Sequence, residues 1–188
     1  MSSLLEPEPI EVMEHSNSDP DKISAILTDE EKLEIDEEAK HYEGKSSVGL
    51  EALRIVQKHR GWISDNSIHA IANYLKIPVT QLESVATYFQ LIFRQPVGKE
   101  VIYLCKSASC WVMGCDQLQK HICQSLEIKP GETSKDGIFT LLEMPCLGDC
   151  DKAPVLMLGE EMYRNLDEDT IDTLIDKKKQ LHADKSTD

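Results

Sequence analysis

No apolar run in this chain approaches the roughly 18 to 20 residues that cross a bilayer, so no membrane-spanning helix and no direct membrane insertion are expected. Positive charge is also scarce: 34 acidic residues stand against 20 basic ones, a formal charge of −14. That balance argues against binding nucleic acid or an anionic membrane surface by charge. The opening residues, MSSLLEPEPIEV, are acidic rather than basic, so neither a signal peptide nor an Arg-rich transit peptide is expected. Repeats and low-complexity tracts are missing, and no Gly-rich fingerprint marks a dinucleotide site.

What is present is 188 residues, enough for one ordinary domain and a smaller one. Six cysteines without a secretory signal point to a reducing compartment, the cytosol, where clustered pairs bind metal or do redox chemistry more often than they form structural disulfides.

Residues 1–27 are rich in Glu, Pro, Ser and Asp with little apolar periodicity, which predicts a disordered acidic tail. A capping box, Thr28 to Glu31, opens a first helix reaching about Tyr42. Leu50, Leu53 and Val56, with Ala52 and Ile55, give the second helix a broad apolar face, and Gly61 stops it. Ser64 or Asp65 caps a third helix carrying Ile68, Ile71, Ala72 and Leu75. A second capping box, Thr80 to Glu83, opens a fourth with Leu82, Val85, Ala86 and Phe89 inward. Residues 28–95 therefore read as a small helical bundle.

Beyond the turn-rich RQPVGK the period becomes extended. Val101–Leu104 is a short β-branched strand ending at Cys105, and Gln117–Leu126 is helical. Ile138–Leu142 forms a second strand, Val155–Leu158 and Met162–Arg164 a hairpin, and a helix from about Asp167 carries Ile171, Leu174 and Ile175. The order gives residues 96–182 as an α/β sandwich of thioredoxin-like size, with a polar tail at 183–188. The fold class is thus α+β/α/β, a helical bundle followed by this sandwich.

The chemistry lies in two cysteine pairs, Cys105-x4-Cys110 and Cys146-x3-Cys150. Four thiolates from two loops make an all-cysteine metal site, and spacing alone does not separate a tetrahedral zinc from a [2Fe–2S] centre. Context favours the cluster. Zinc ribbons are short and lack a core, whereas each pair here sits at the mouth of an apolar strand, and plant-type ferredoxins also open their binding loop with Cys-x4-Cys. A Rieske centre would need two histidines, and no Cys-x-His stands near either pair. The small residues of KSAS and LGD leave room for backbone N–H groups to point at sulfur.

The stretches HYEGKSSVGLEALRIVQKHRGWISDNSIHAIANYLKIP, ESVATYFQLIFRQPVGKEVIYLCKSASCWVMG and CLGDCDKAPVLML resemble the NuoE family, the thioredoxin-like [2Fe–2S] subunit of NADH:quinone oxidoreductase, respiratory complex I. The resemblance covers about residues 38–180 and departs from bacterial members at MPCLG, where a second, non-ligand cysteine often precedes the ligand. It implies a thioredoxin-like [2Fe–2S] ferredoxin domain in which Cys105, Cys110, Cys146 and Cys150 ligate one cluster. It further implies an electron-transfer subunit of the oxidoreductase with no complete active site of its own. FMN and NADH would sit on the partner, the flavin- and NADH-binding subunit, with another iron–sulfur subunit adjacent. The location implied is peripheral, on the cytoplasmic face of the bacterial inner membrane. Two other readings stay open: the equivalent subunit of a soluble NAD-linked hydrogenase or formate dehydrogenase, and a four-cysteine zinc interaction module without redox activity.

Plainer roles are expected elsewhere. Cys115 and Cys123 are packed or partly exposed helix residues, and His41, His59, His69 and His121 lack partners at ligand spacing. Trp111 either shields the site, packs in the core or meets another subunit. Asp149 turns the second loop or caps a helix. Pro154 opens the third strand where thioredoxin-like folds often carry a cis proline.

Overall fold

The computed structural model describes residues 26–184. Its first half is helical: α1 (Asp29–Ala39), α2 (Gly49–Arg60), α3 (Asp65–Leu75) and α4 (Val79–Tyr88), with a 3₁₀ turn at Lys45–Val48. Thr28 caps α1 as expected, its hydroxyl accepting the Glu31 N–H at 3.2 Å while Glu31 Oε2 accepts the Thr28 N–H at 2.8 Å. Glu31 is also almost fully buried, because Arg60 at the end of α2 grips its two oxygens at 2.7 and 2.8 Å. One capping residue thereby joins the first two helices.

Gly61 terminates α2 with φ +83°, a left-handed conformation that costs other residues a Cβ clash. Ser64 caps α3 by accepting the Ser67 N–H at 3.1 Å. The capping box expected at Thr80 to Glu83 does not form. Pro78, extended at φ −60° and ψ 135°, already stands at the helix boundary and its carbonyl accepts the Gln81 N–H, so Thr80 lies inside the helix. Phe89, expected inward, follows the last helical residue and is partly exposed. Leu53, Ile63, Ile71 and Leu82 fill the core between these helices.

The second half is β1 (Glu100–Cys105), α5 (Ala108–Val112), α6 (Cys115–Leu126), β2 (Phe139–Met144), a 3₁₀ turn at Cys150–Lys152, β3 (Leu156–Leu158), β4 (Glu161–Tyr163) and α7 (Glu168–Asp184). The sheet order is β2-β1-β3-β4, with β1 parallel to β2 and the other pairs antiparallel. Ile102 and Leu104 of β1 join Phe139, Leu141, Leu156 and Leu158 under α6 and α7. Val101 and Tyr103 point to the other face, as strand alternation requires, and Phe93 from the joint stacks on Tyr103 at 6.5 Å. At Gly98 a Cβ would stand 2.6 Å from the Ile138 carbonyl oxygen, so only glycine lets the joint run this close to β2.

Leu27, in the tail expected at 1–27, is already buried, and α7 runs on to Asp184, inside the tail expected at 183–188. The rest of those two segments lies outside the described residues. The Ala153–Pro154 peptide is cis. Among the described residues no helix is long and apolar enough to cross a membrane.

Candidate metal centre

Parallel strands end at the same edge of a sheet, and that geometry gathers the cysteines. Cys105 is the last residue of β1, paired with Met144 at the end of β2, and the Lys106 N–H donates to the Met144 carbonyl at 2.8 Å. Two residues beyond Met144 comes Cys146. The chain after Cys105 turns into α5, which carries Cys110 and packs against the 3₁₀ turn begun by Cys150. All four cysteines thus arrive at one end of the sheet.

Their surroundings differ by pair. Cys105 and Cys110 are buried with Cys115, Ala153 and Val155 in a small apolar cluster, whereas Cys146 and Cys150 are exposed. The Cys146 and Cys150 sulfurs lie 3.7 Å apart. With metal–sulfur bonds of about 2.3 Å, two thiolates on one tetrahedral metal stand about 3.8 Å apart. This pair already has that spacing. Among the described residues, no three His, Cys, Asp or Glu side chains converge as a ready site for a single metal ion.

Hydrogen bonds reach the sulfurs from both loops. The Ser107 hydroxyl lies 3.3 Å from Cys105 Sγ, and the Gly148 N–H donates to Cys146 Sγ at 3.4 Å. Burial would push the Cys105 thiol up, but hydrogen bonds from the Ser107 hydroxyl and amide, the Leu147 amide and Cys110 outweigh it, and the net shift is downward. The Leu147 amide belongs to the second loop, so it ties one loop to the other. Burial and the neighbouring Cys105 push Cys110 up to about 11, against an opposing hydrogen bond from the Val155 amide. Cys150 is raised by its hydrogen bond with Cys146 and the charge of that neighbour, with the Ser109 hydroxyl acting the other way. Thiols that raise one another in this way favour a shared cation.

The second loop depends on two further residues. Gly148 holds φ +89°, and Asp149, at the start of the 3₁₀ turn, pairs with Arg164 beyond β4. The amides facing sulfur follow from the small residues in each loop. Sequence reasoning misses the serine hydroxyls, because Ser107 and Ser109 read as space-savers, and misses Arg164, because only the hairpin brings it near Asp149. Trp111 is 62% exposed, with Val112 and Met113 beside it, so it does not pack in the core. Cys115 is buried against Cys105 and Cys110, and Cys123 is half-buried. His59 and His121 bond to carboxylates, Glu34 at 2.9 Å and Asp172 at 2.7 Å, as ordinary surface histidines do.

Residues 35–179 match the family described as thioredoxin-like [2Fe-2S] ferredoxin. The chain is 44% identical over 165 residues to the E-type subunit of NADH-quinone oxidoreductase from Escherichia coli (strain K12), covering 88% of this chain and 99% of that one. It is 42% identical over 151 residues to the same-named subunit from Pseudomonas aeruginosa, covering 80% and 91%. Among solved structures, an NAD+-reducing [NiFe]-hydrogenase in the H2-reduced state superposes with a TM-score of 0.61 over 70% of this chain at 22% identity. The chain spans only 22% of that hydrogenase chain, and this likeness bears on the fold alone.

Proposed function

The chain belongs to the thioredoxin-like [2Fe–2S] ferredoxin family, which includes the E-type subunits of NADH-quinone oxidoreductase, and from that membership we propose that it is the electron-transfer subunit of such an oxidoreductase. Cys105, Cys110, Cys146 and Cys150 would hold one [2Fe–2S] cluster, which when bound supplies a one-electron carrier. The observation that carries the ligand set is the meeting of two close thiol pairs at one sheet end, one pair spaced as on a tetrahedral metal.

The protein's part in this is to hold and tune. Cys105 and Cys110 sit in an apolar cluster with Val155 and Ala153, the Gly148 amide donates to Cys146 Sγ, and the amides of Ser107, Leu147 and Val155 act on Cys105 and Cys110 in the direction of the thiolate state a metal requires. The exposed Cys146 and Cys150 make the open side, rimmed by the apolar Trp111, Val112 and Met113 of α5 and its end. An electron carrier needs a close neighbour, and exposed apolar side chains beside an exposed ligand loop suit a partner's surface. That partner is the flavin- and NADH-binding subunit, with FMN and NADH on it and not on this chain; an adjacent iron–sulfur subunit completes the group. Such a complex would place the chain peripherally on the cytoplasmic face of the bacterial inner membrane. The same reading divides the chain into a bundle at 28–95 and the cluster domain at 96–182.

Iron, zinc and acid-labile sulfide analysis of the purified protein tests the reading. Two irons and two sulfides per chain are expected for a [2Fe–2S] centre. One zinc and no sulfide would leave the zinc module instead.

A further inference from the structure

Helices α6 and α7 close one face of the sheet, and on the other Val101, Tyr103 and Thr140 are buried as well. Over the other, the joint between α4 and β1 leaves a cleft of about 1000 Å³ bounded by the end of α2. This is at the upper end of the size of ligand pockets, room for several side chains. Its walls include Phe89, Leu91, Phe93 and Met157, and the cations Arg54, Lys58 and Lys99 stand among its lining residues with one acid, Glu160. Arg54 already bonds Glu51 at 3.2 Å and Lys58 pairs with Glu34 at 3.5 Å, whereas Lys99 takes part in no ion pair among the described residues.

Tyr103 also lines the cleft. It is 5% exposed, its phenol makes no hydrogen bond among the described residues, and burial pushes its pKa up to about 12. Every side-chain polar atom fully shut off from solvent among the described residues has a partner, so the Tyr103 hydroxyl is not fully shut off, and its residue lines the cleft. A phenol that opens on the cleft can donate to whatever occupies it.

The chain enters the described fold beside this cleft. The Ile26 carbonyl accepts from Arg60 Nη2 at 3.1 Å, and the residue after Arg60, Gly61, lines the cleft with Gln57 and Lys58 of the same helix end. Before Ile26 stand 25 residues, all of them ahead of the family match that begins at residue 35. They carry Glu6, Glu8, Glu11, Glu14, Asp19 and Asp21 against one Lys22. Leu4, Leu5, Ile10, Val12 and Met13 are interleaved with the glutamates, and Pro7 and Pro9 disfavour a helix there. At up to about 3.3 Å per residue such a length reaches any part of the cleft.

We propose that this cleft is the docking site of the chain's own N-terminal segment, the apolar residues of Leu4–Met13 covering Phe89, Phe93 and Met157 while its glutamates face Lys99 and its carbonyls accept from Tyr103. The apolar wall and the acidic, apolar segment match in charge and in character.

Zero-length carbodiimide cross-linking of the full-length protein, read by peptide mass spectrometry, tests this. Amide links between Lys99 and Glu6, Glu8, Glu11 or Glu14 are expected, formed within one chain in a mixture of ¹⁴N- and ¹⁵N-labelled protein. They should fall at least fivefold in a Leu5→Ser/Ile10→Ser/Val12→Ser variant, whose changes lie outside the described residues. Links of mixed isotope would assign the cleft to a second copy and overturn the proposal. It is equally overturned if Lys99 links to none of these glutamates, or if the serine substitutions leave the yield unchanged.

Discussion

The two cysteine pairs are held in opposite ways. Cys105 and Cys110 are embedded, one ending a central strand and the other on a short helix packed against α6 and the Cys150 turn, with neighbours fixed by the hydrophobic core. Cys146 and Cys150 are exposed on a loop whose shape rests on Gly148, the Asp149–Arg164 ion pair and amide–sulfur bonds. The first pair is positioned by folding itself. The second is positioned by its own turn and by the contact of the Leu147 amide with Cys105, which makes it the adjustable half of the site.

The sharpest way to break this comparison is to remove one ligand from each pair. Cys105→Ala and Cys146→Ala should each abolish the visible absorption of the cluster. In the metal-free proteins, however, thermal unfolding should show a loss of about 1 kcal/mol for the buried Cys105 and almost none for the exposed Cys146. Equal losses would mean that the two pairs are held alike.

The next largest effect lies in the bundle and asks whether the site depends on it. Glu31→Ala would strand Arg60 and cost about 3 kcal/mol in denaturant unfolding, while the folded fraction keeps the cluster absorption. Burial raises the Glu31 carboxyl, but the Arg60 hydrogen bonds and the Thr28 amide more than offset this, and its pKa is lowered. Its contribution is therefore complete above the unfolded value, about 4.3, and is lost as the pH falls through the lower folded value. Unfolding measured below pH about 4.3 should find the Glu31→Gln variant and the wild type converging.

Smaller changes probe the second loop alone. Gly148→Ala forces a left-handed residue and should cost about 1 kcal/mol, with faster removal of iron by a chelator. Arg164→Ala loosens the Asp149 end of the loop and should cost less than about 1 kcal/mol, its effect on chelator removal shrinking in high salt.

Most of the fold was legible because local signals agreed with tertiary ones. Thr28, Ser64 and Gly61 mark helix ends in the sequence and in the structure. Thr80 misled because a capping pattern says nothing of a preceding Pro78 that has already set the helix boundary. Short α5 was not legible: five residues, two of them serine or cysteine, carry no periodicity, and its helicity comes from packing against α6 and the Cys150 turn. At the site, spacing announced four thiols. It did not announce which pair is buried, because that follows from the parallel pairing of β1 with β2 and from the exposure of the loop beyond. The exposure of Trp111 belongs to the same class: an aromatic beside a ligand reads equally as core or as contact until the fold is known.

The central claim is that these four thiols hold a two-iron cluster that carries single electrons. Low-temperature EPR of the dithionite-reduced protein tests it most directly, since a reduced [2Fe–2S] centre is paramagnetic and zinc is silent. The expected result is a signal integrating to about one spin per chain, absent from Cys146→Ala. A silent wild-type spectrum from protein that retains its metal, or an undiminished signal in Cys146→Ala, would contradict it.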